Sequence, residues 1–357
     1  MIYAYAALSI AVCTLSQRLR DRRKKLLLLA AFALAMVAAP LIVRSDASIN
    51  TMADIGIYVI LALGLNIVVG FAGLLDLGYA AFFAIGAYTY GMLAGPQFGL
   101  HLPIWVLIFL AAAIAALCGI ILGAPTLRLH GDYLAIVTLG FGEIVPQVFQ
   151  NLTKYTGGPN GLSGLDTPSL GKFSFGVSST PYLYVTLALI VLTLWLVTNL
   201  KNSRLGRAWM AIREDQLAAE HSGINTTAVK LAAFALGASF SGLGGVVFAA
   251  KLSLVSPDLF GFQVSVLIVS MLVLGGMGNI NGVVIGAVIL ALVNGRILPQ
   301  INAIVNGALH TNLDLTNYSF FIYGAILVAL MLFRPEGLLP SRERRAELHA
   351  PQPPEAA

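Results

Sequence analysis

Residues 103–123 read PIWVLIFLAAAIAALCGIILG, a run with no charged side chain and no amide. A bilayer core about 30 Å thick takes about 17–25 apolar helical residues per crossing, so this run has the length and composition of one transmembrane helix. A closed β-barrel is the only other structure that satisfies its backbone inside lipid. It needs alternating polar residues, and runs such as Leu26 to Leu29 have none. Outward from 103–123, similar stretches recur at 1–17, 26–43, 52–71, 74–94, 133–150, 181–199, 230–250, 263–277, 282–298 and 317–333. The chain therefore reads as an all-α integral membrane protein, a polytopic bundle of about ten or eleven transmembrane helices. The first stretch is short and 263–277 and 282–298 form a tight pair, which leaves the lower count open.

Composition agrees. Of 357 residues, 58% are hydrophobic and 10% charged, against about 25% charged in an average soluble domain. The mean hydropathy of +0.86 describes a chain whose solvent is lipid. The 36 glycines suit helices that pack at close range in the membrane. Cys13 and Cys118 both fall within apolar runs and read as small hydrophobes, not as a disulfide or a metal pair. The basic residues sit between apolar runs, which makes them topology signals and argues against nucleic acid as a partner. One transmembrane domain spans 1–333, with a cytoplasmic, Pro-rich and disordered tail over 334–357.

Orientation follows from the same residues. A signal peptide carries its positive charge before the apolar run. Here Arg18, Arg20, Arg22, Arg23, Lys24 and Lys25 follow it, so 1–17 reads as a span with its N-terminus outside. Alternation then puts 18–25, 72–73, 124–132, 200–229, 278–281 and 334–357 inside. With Lys230, these hold 16 of the 21 Lys and Arg, as the positive-inside rule requires. The C-terminus is cytoplasmic.

Polar residues inside the spans mark candidate function. Glu143 lies mid-span near Thr138, Gly140, Gly142 and Gln147. A charge at a helix centre costs about 3 kcal/mol unless it faces protein or water. The structural alternative is a carboxylate bonded to a neighbouring helix, and Pro146 is expected to kink this span. Asn66 and Asp76 flank a glycine-rich break at 64–76, and a second break, LGGMGNING, occupies 274–282. Both lie on the inner side, as in an internal repeat whose broken helices line a route; plain tight hairpins are the alternative. The stretch GASFSGLGG at 237–245 reads as a small-residue packing face, with Ser239 and Ser241 able to line a route instead.

The longest inner connection, 200–229, is expected to hold an amphipathic helix. Residues 207–220 contain strong helix formers without Pro or Gly, and Gly223 follows as a stop. Leu205, Trp209 and Ile212 share a stripe, with Arg207 and Glu214 opposite. Such a helix rests in the lipid interface or presses its stripe into a partner's groove. Glu214, Asp215 and Glu220 favour a protein partner. The chain lacks a phosphate-binding G-x-x-x-x-G-K-[ST] loop, a Cys/His metal spacing and a nucleophile elbow. It is expected to catalyse no reaction and to hold no metal.

Taken together these residues resemble the LivM-type permease subunits of bacterial branched-chain amino acid ABC importers. The resemblance runs from about residue 55 to 340. It rests on GLLDLGYAAFFAIGAY at 73–88, GDYLAIVTLGFGEIV at 131–145, TGGPNG at 156–161, GRAW at 206–209 with RED at 213–215, LGGMG at 274–278 and RPEGLLP at 334–340. It implies a homologous second permease, two ABC ATPase subunits and a periplasmic substrate-binding protein in the inner membrane assembly. ATP and magnesium would sit on the ATPases, with no cofactor in this chain. It implies alternating access for a small amino acid along Asn66, Asp76, Tyr79, Thr138, Glu143, Ser239 and Ser241. Coupling to the ATPases falls to Arg204, Gly206, Arg207, Trp209, Arg213, Glu214, Asp215 and Gly223. Binding-protein docking falls to Gly157, Gly158, Pro159 and Asn160. Related permeases serve urea, amides and other amino acids, and an ion-coupled transporter with Glu143 as proton carrier is the rival class.

Overall fold

The computed structural model describes residues 45–126, 132–170, 173–176, 178–309, 319–334 and 336–339. The expected spans 1–17 and 26–43, the basic cluster between them and the end of the tail lie outside the described residues.

Every other expected span is helical. In chain order these are α1 (Asp46–Leu65), α2 (Tyr79–Leu93), α3 (Ile104–Thr126), α4 (Asp132–Asn151) and α5 (Ser179–Lys201). The inner connection holds α6 (Arg204–Glu214) and α7 (Gln216–His221), followed by α8 (Thr226–Leu252), α9 (Phe262–Gly275) and α10 (Ile280–Leu292). Next come α11 (Leu298–Leu309) and α12 (Ser319–Phe333). Seven helical runs are long and apolar enough to cross a membrane among the described residues. The chain is a multi-pass helical membrane protein.

Three boundaries depart from the sequence reading. Instead of ending at Phe71 as an α-helix, α1 gives way to a π-helical turn at Asn66–Phe71. The next helix begins at Tyr79 rather than at 74, and 72–78 form an irregular connection with Gly73 at φ +69°. The span ending at 298 continues through a second π turn, Val293–Ile297, into α11. There the Asn294 side chain accepts the Tyr323 hydroxyl, at 2.7 Å, from α12, which gives this polar stretch a partner within protein. The helix over Asp132–Asn151 runs on through Pro146.

The centre of the bundle is α8, which packs against α1, α2 and α3. The small-residue stretch 237–245 makes this possible. A Cβ at Gly86 on α2 would lie 2.3 Å from the Gly242 carbonyl oxygen, and one at Gly242 would lie 2.8 Å from that of Ala111 on α3. Lipid tails are as apolar as the side chains, so helices here gain from close backbone approach rather than from expelling water. Two short antiparallel pairs form between the helices: β1 (Leu162–Ser163) with β4 (Leu254–Val255), and β2 (Ser169–Leu170) with β3 (Phe173–Ser174).

Candidate functional site

The first helix break is held by polar groups from four helices. Asp76 Oδ1 accepts the Gly78 amide at 2.9 Å, and Thr138 Oγ1 on α4 accepts the Leu77 amide at 3.1 Å. Ser265 Oγ on α9 accepts the Ala80 amide at 2.9 Å. The first amides of a helix have no partner within it, and these three oxygens serve the start of α2. Tyr79 sends its hydroxyl to the Gly237 carbonyl on α8 at 2.8 Å, and Ser241 Oγ donates to the Tyr79 carbonyl at 3.4 Å.

The second break meets the first. Asn66 Oδ1, inside the π turn, accepts the Gly278 amide at 2.9 Å. Asn279 caps α10, its side chain accepting the amides of Asn281 and Gly282. Residues 336–339 return to this break. Leu338 and Leu339 donate their amides to the carbonyls of Leu274 and Gly275 at 2.9 and 3.1 Å, and Asn279 Nδ2 donates to the Leu339 carbonyl at 2.9 Å. Residues 336–339 therefore pack with the helices, although the sequence reading put them in a disordered tail.

Of the seven residues assigned to a route, Asn66, Asp76, Tyr79, Thr138 and Ser241 are fully buried. Each makes at least one hydrogen bond within the protein, while Asn66 Nδ2 and Asp76 Oδ2 are buried without a partner among the described residues. They act as joints between helices. Ser239 is half-buried and donates to the Ala235 carbonyl of its own helix at 2.8 Å.

Glu143 alone of the seven is exposed. It lies in an open groove along α4 with Ile144, Gln147, Val148, Asn151 and Leu152. Glu143, Gln147 and Asn151 stand four residues apart and so form one polar stripe. The outward residues differ on α3, where Val106, Phe109, Leu117 and Ile121 are apolar, and along most of α5, where Val191 and Trp195 are apolar and the exposed polar residues Thr198 and Asn199 sit together in its last turn. Only α4 turns a line of polar groups outward among these three helices. Asn151 carries no signal in the sequence beyond its spacing.

The inner connection also differs from its reading. A single helix over 207–220 is replaced by α6 and α7, divided where Asp215 leaves the helical backbone and caps α7 by accepting the Ala218 amide. Gly223, at φ +84°, ends α7, and the Ile224 amide bonds back to the Ala219 carbonyl, the left-handed terminator that favours glycine. Trp209 and Ile212 are buried in this chain's own body, with Trp209 Nε1 donating to the Val229 carbonyl at 2.7 Å. Two of the three stripe residues are thus covered by the chain itself, and Leu205 is left exposed. Gly206 is buried against the backbone of Leu200 and Lys201, while Arg204, Arg207, Glu214, Asp215 and Gly223 are exposed.

Arg213 turns inward. Its Nη1 donates to the Gly70 carbonyl at 2.7 Å, in the first break. Lys201, at the end of α5 and absent from the sequence-based assignment, donates to the Gly278 carbonyl at 3.0 Å, and its ammonium lies 5.5 Å from the centre of the Phe71 ring.

In the connection after α4, Gly157 and Gly158 have positive φ and turn the chain after a single helical turn, Thr153–Thr156. Pro159 and Asn160 project from this turn and are exposed, while Ser256 Oγ fastens the Pro159 carbonyl from beneath.

The family model described as branched-chain amino acid transport system / permease component matches residues 48–331. The chain is 40% identical to the high-affinity branched-chain amino acid transport system permease protein LivM of Salmonella typhimurium, over 92% of this chain and 78% of that protein. It is likewise 40% identical to the LivM of Escherichia coli, over 91% and 77%. Similarity at 28% extends to LivH of Salmonella typhimurium, a second permease protein of a high-affinity branched-chain amino acid system, over 53% of this chain and 59% of that one. No solved structure gives a significant match.

Proposed function

Because this chain belongs to the branched-chain amino acid transport permease family, we propose that it is the LivM-like half of an importer's membrane pathway. The other half is a homologous permease of the LivH kind, and two ATPase subunits on the cytoplasmic side supply the energy. A periplasmic binding protein delivers leucine, isoleucine or valine. The assembly sits in the bacterial inner membrane with the N-terminus outside and the C-terminus inside. ATP and magnesium belong to the partners.

The observation that carries this reading is the polar stripe Glu143, Gln147 and Asn151 on the open face of α4. A carboxylate in a membrane span faces protein or water, not lipid. A zwitterionic substrate needs both of its charges solvated throughout the crossing, and a half-channel exposed in the isolated subunit becomes a lined route once the second permease covers it. The joints around the two breaks make the helices move as bodies, as alternating access requires. Pro159 and Asn160, exposed on the turn that Gly157 and the buried Gly158 shape, are the docking point for the binding protein, and the exposed residues of α6 and α7 meet the ATPases.

Cysteine labelling tests the assignment. In the assembled complex, single cysteines at positions 143 and 147 react with a membrane-impermeant maleimide, while cysteines at 109 and 195 stay protected. Protection at 143 and 147 together with labelling at 109 would place the route on α3 instead.

A further inference from the structure

The breaks and the coupling segment are joined by more than proximity. Gly70 lies in the π turn, where the Ala72 amide bonds to the Ile67 carbonyl and the Leu74 amide to the Val68 carbonyl. The chain then leaves the helix, so carbonyls near its end need donors from elsewhere. Arg213 supplies one to Gly70, and its stem lies against Gly73, where a Cβ would come within 2.8 Å of Arg213 Cγ. Lys201 supplies one to Gly278 in the second break. Gly70, Phe71, Lys201, Met210, Arg213 and Gly278 line one small cavity, into whose wall Glu214 also projects. The two cations stand at either end of the coupling segment, one just before α6 and one near its last turn. Between the breaks, the Asn66 side chain accepts the Gly278 amide. Gly278 is thereby held at both backbone polar atoms, by Asn66 and by Lys201.

We propose that Lys201 and Arg213 are positioning residues that clamp the two helix breaks to the coupling segment, so that one displacement of α6 carries both breaks together. This rests on the permease reading above. It divides the coupling segment into two faces: Arg204 and Arg207, both exposed, point toward the ATPases, whereas Lys201 and Arg213 point toward the membrane helices. Loss of an outward residue weakens attachment of the ATPases. Loss of an inward one leaves them attached and working, with their motion reaching only one break.

The measurement is radiolabelled leucine accumulated per ATP hydrolysed, in proteoliposomes holding the complete complex and its binding protein. Lys201→Met keeps the aliphatic stem and removes the ammonium. It is expected to lower the ratio about ten-fold, within the usual range of coupling between sites, while the ATPase subunits stay bound and hydrolysis continues. Lys201→Arg, which restores a donor, is expected to recover most of the ratio. An unchanged ratio in Lys201→Met overturns the clamp. So does a fall in subunit retention and hydrolysis in step with uptake, because Lys201 would then belong to the docking face. If Lys201→Met does not accumulate in the membrane, Arg213→Gln is read by the same ratio with the same two outcomes. Absence of ATP-driven leucine uptake by the wild-type complex would strike the substrate assignment and leave the clamp to be read from another cargo.

Discussion

The side-chain oxygen of Asn66 accepts the backbone amide of Gly278 at 2.9 Å, across 212 positions of sequence. This bond joins two helix breaks that lie in separate hairpins, and it is made where neither helix can satisfy its own backbone. Asn66→Ala leaves the Gly278 amide buried without its acceptor, a loss of about 1–3 kcal/mol. Thermal unfolding of the purified protein in detergent is expected to shift to lower temperature. A midpoint equal to wild type would show that water or a neighbouring group replaces the bond at no cost.

Glu143 is the one assigned route residue left open to its surroundings. Glu143→Ala is expected to abolish leucine uptake while the complex is recovered intact with its second permease and ATPases. Normal transport by this variant removes Glu143 from the route. Poor recovery of the second permease would instead make it an interface residue.

Trp209 is fully buried and bonded to the Val229 carbonyl, so it anchors α6 to the start of α8. Truncating a buried tryptophan costs about 3–5 kcal/mol in well-packed cores. In Trp209→Ala, trypsin is expected to cut faster at Arg204 and Arg207 in inside-out vesicles stripped of ATPase subunits. Trp209→Phe keeps most of the ring and loses the donor, which predicts an intermediate rate. Equal cutting in all three proteins would mean that the anchor lies elsewhere.

A stop after Phe333 removes the donors to the Leu274 and Gly275 carbonyls, whereas a stop after Pro340 keeps them. The shorter chain is expected to unfold at lower temperature and to lose uptake, and the longer one to match wild type. Equal behaviour of the two truncations would assign the segment no part in the second break.

Hydropathy made the helices legible, because the length of an apolar run is a local property that lipid enforces. The breaks were legible too, as clusters of glycine at 70–73 and 275–278. Their partners were not. A polar residue in an apolar span gives the same signal whether it stays exposed on its helix, as Glu143 does, or satisfies a distant backbone group, as Asn66 and Thr138 do. Only the fold separates the two. The stripe Leu205, Trp209 and Ile212 raised the same ambiguity. Its amphipathic spacing revealed an apolar face to be covered, and the cover came largely from the chain's own α8, which left only Leu205 exposed. Asp215 likewise reads as helix-compatible in a window without Pro or Gly, yet its carboxylate serves an amide three residues on and divides the segment.

The return of residues 338 and 339 to the second break has a bearing on how the protein is made. The Asn279 side chain donates to a carbonyl 60 residues further along the chain, and the neighbouring carbonyls of Leu274 and Gly275 accept from the same late segment. Chains fold from the N-terminus as they emerge, so the hairpin of α9 and α10 enters the membrane before its last donors have been synthesised. Its closure waits until residues 338 and 339 have been made. A ribosome that stalls within α12 leaves the hairpin of α9 and α10 without these bonds.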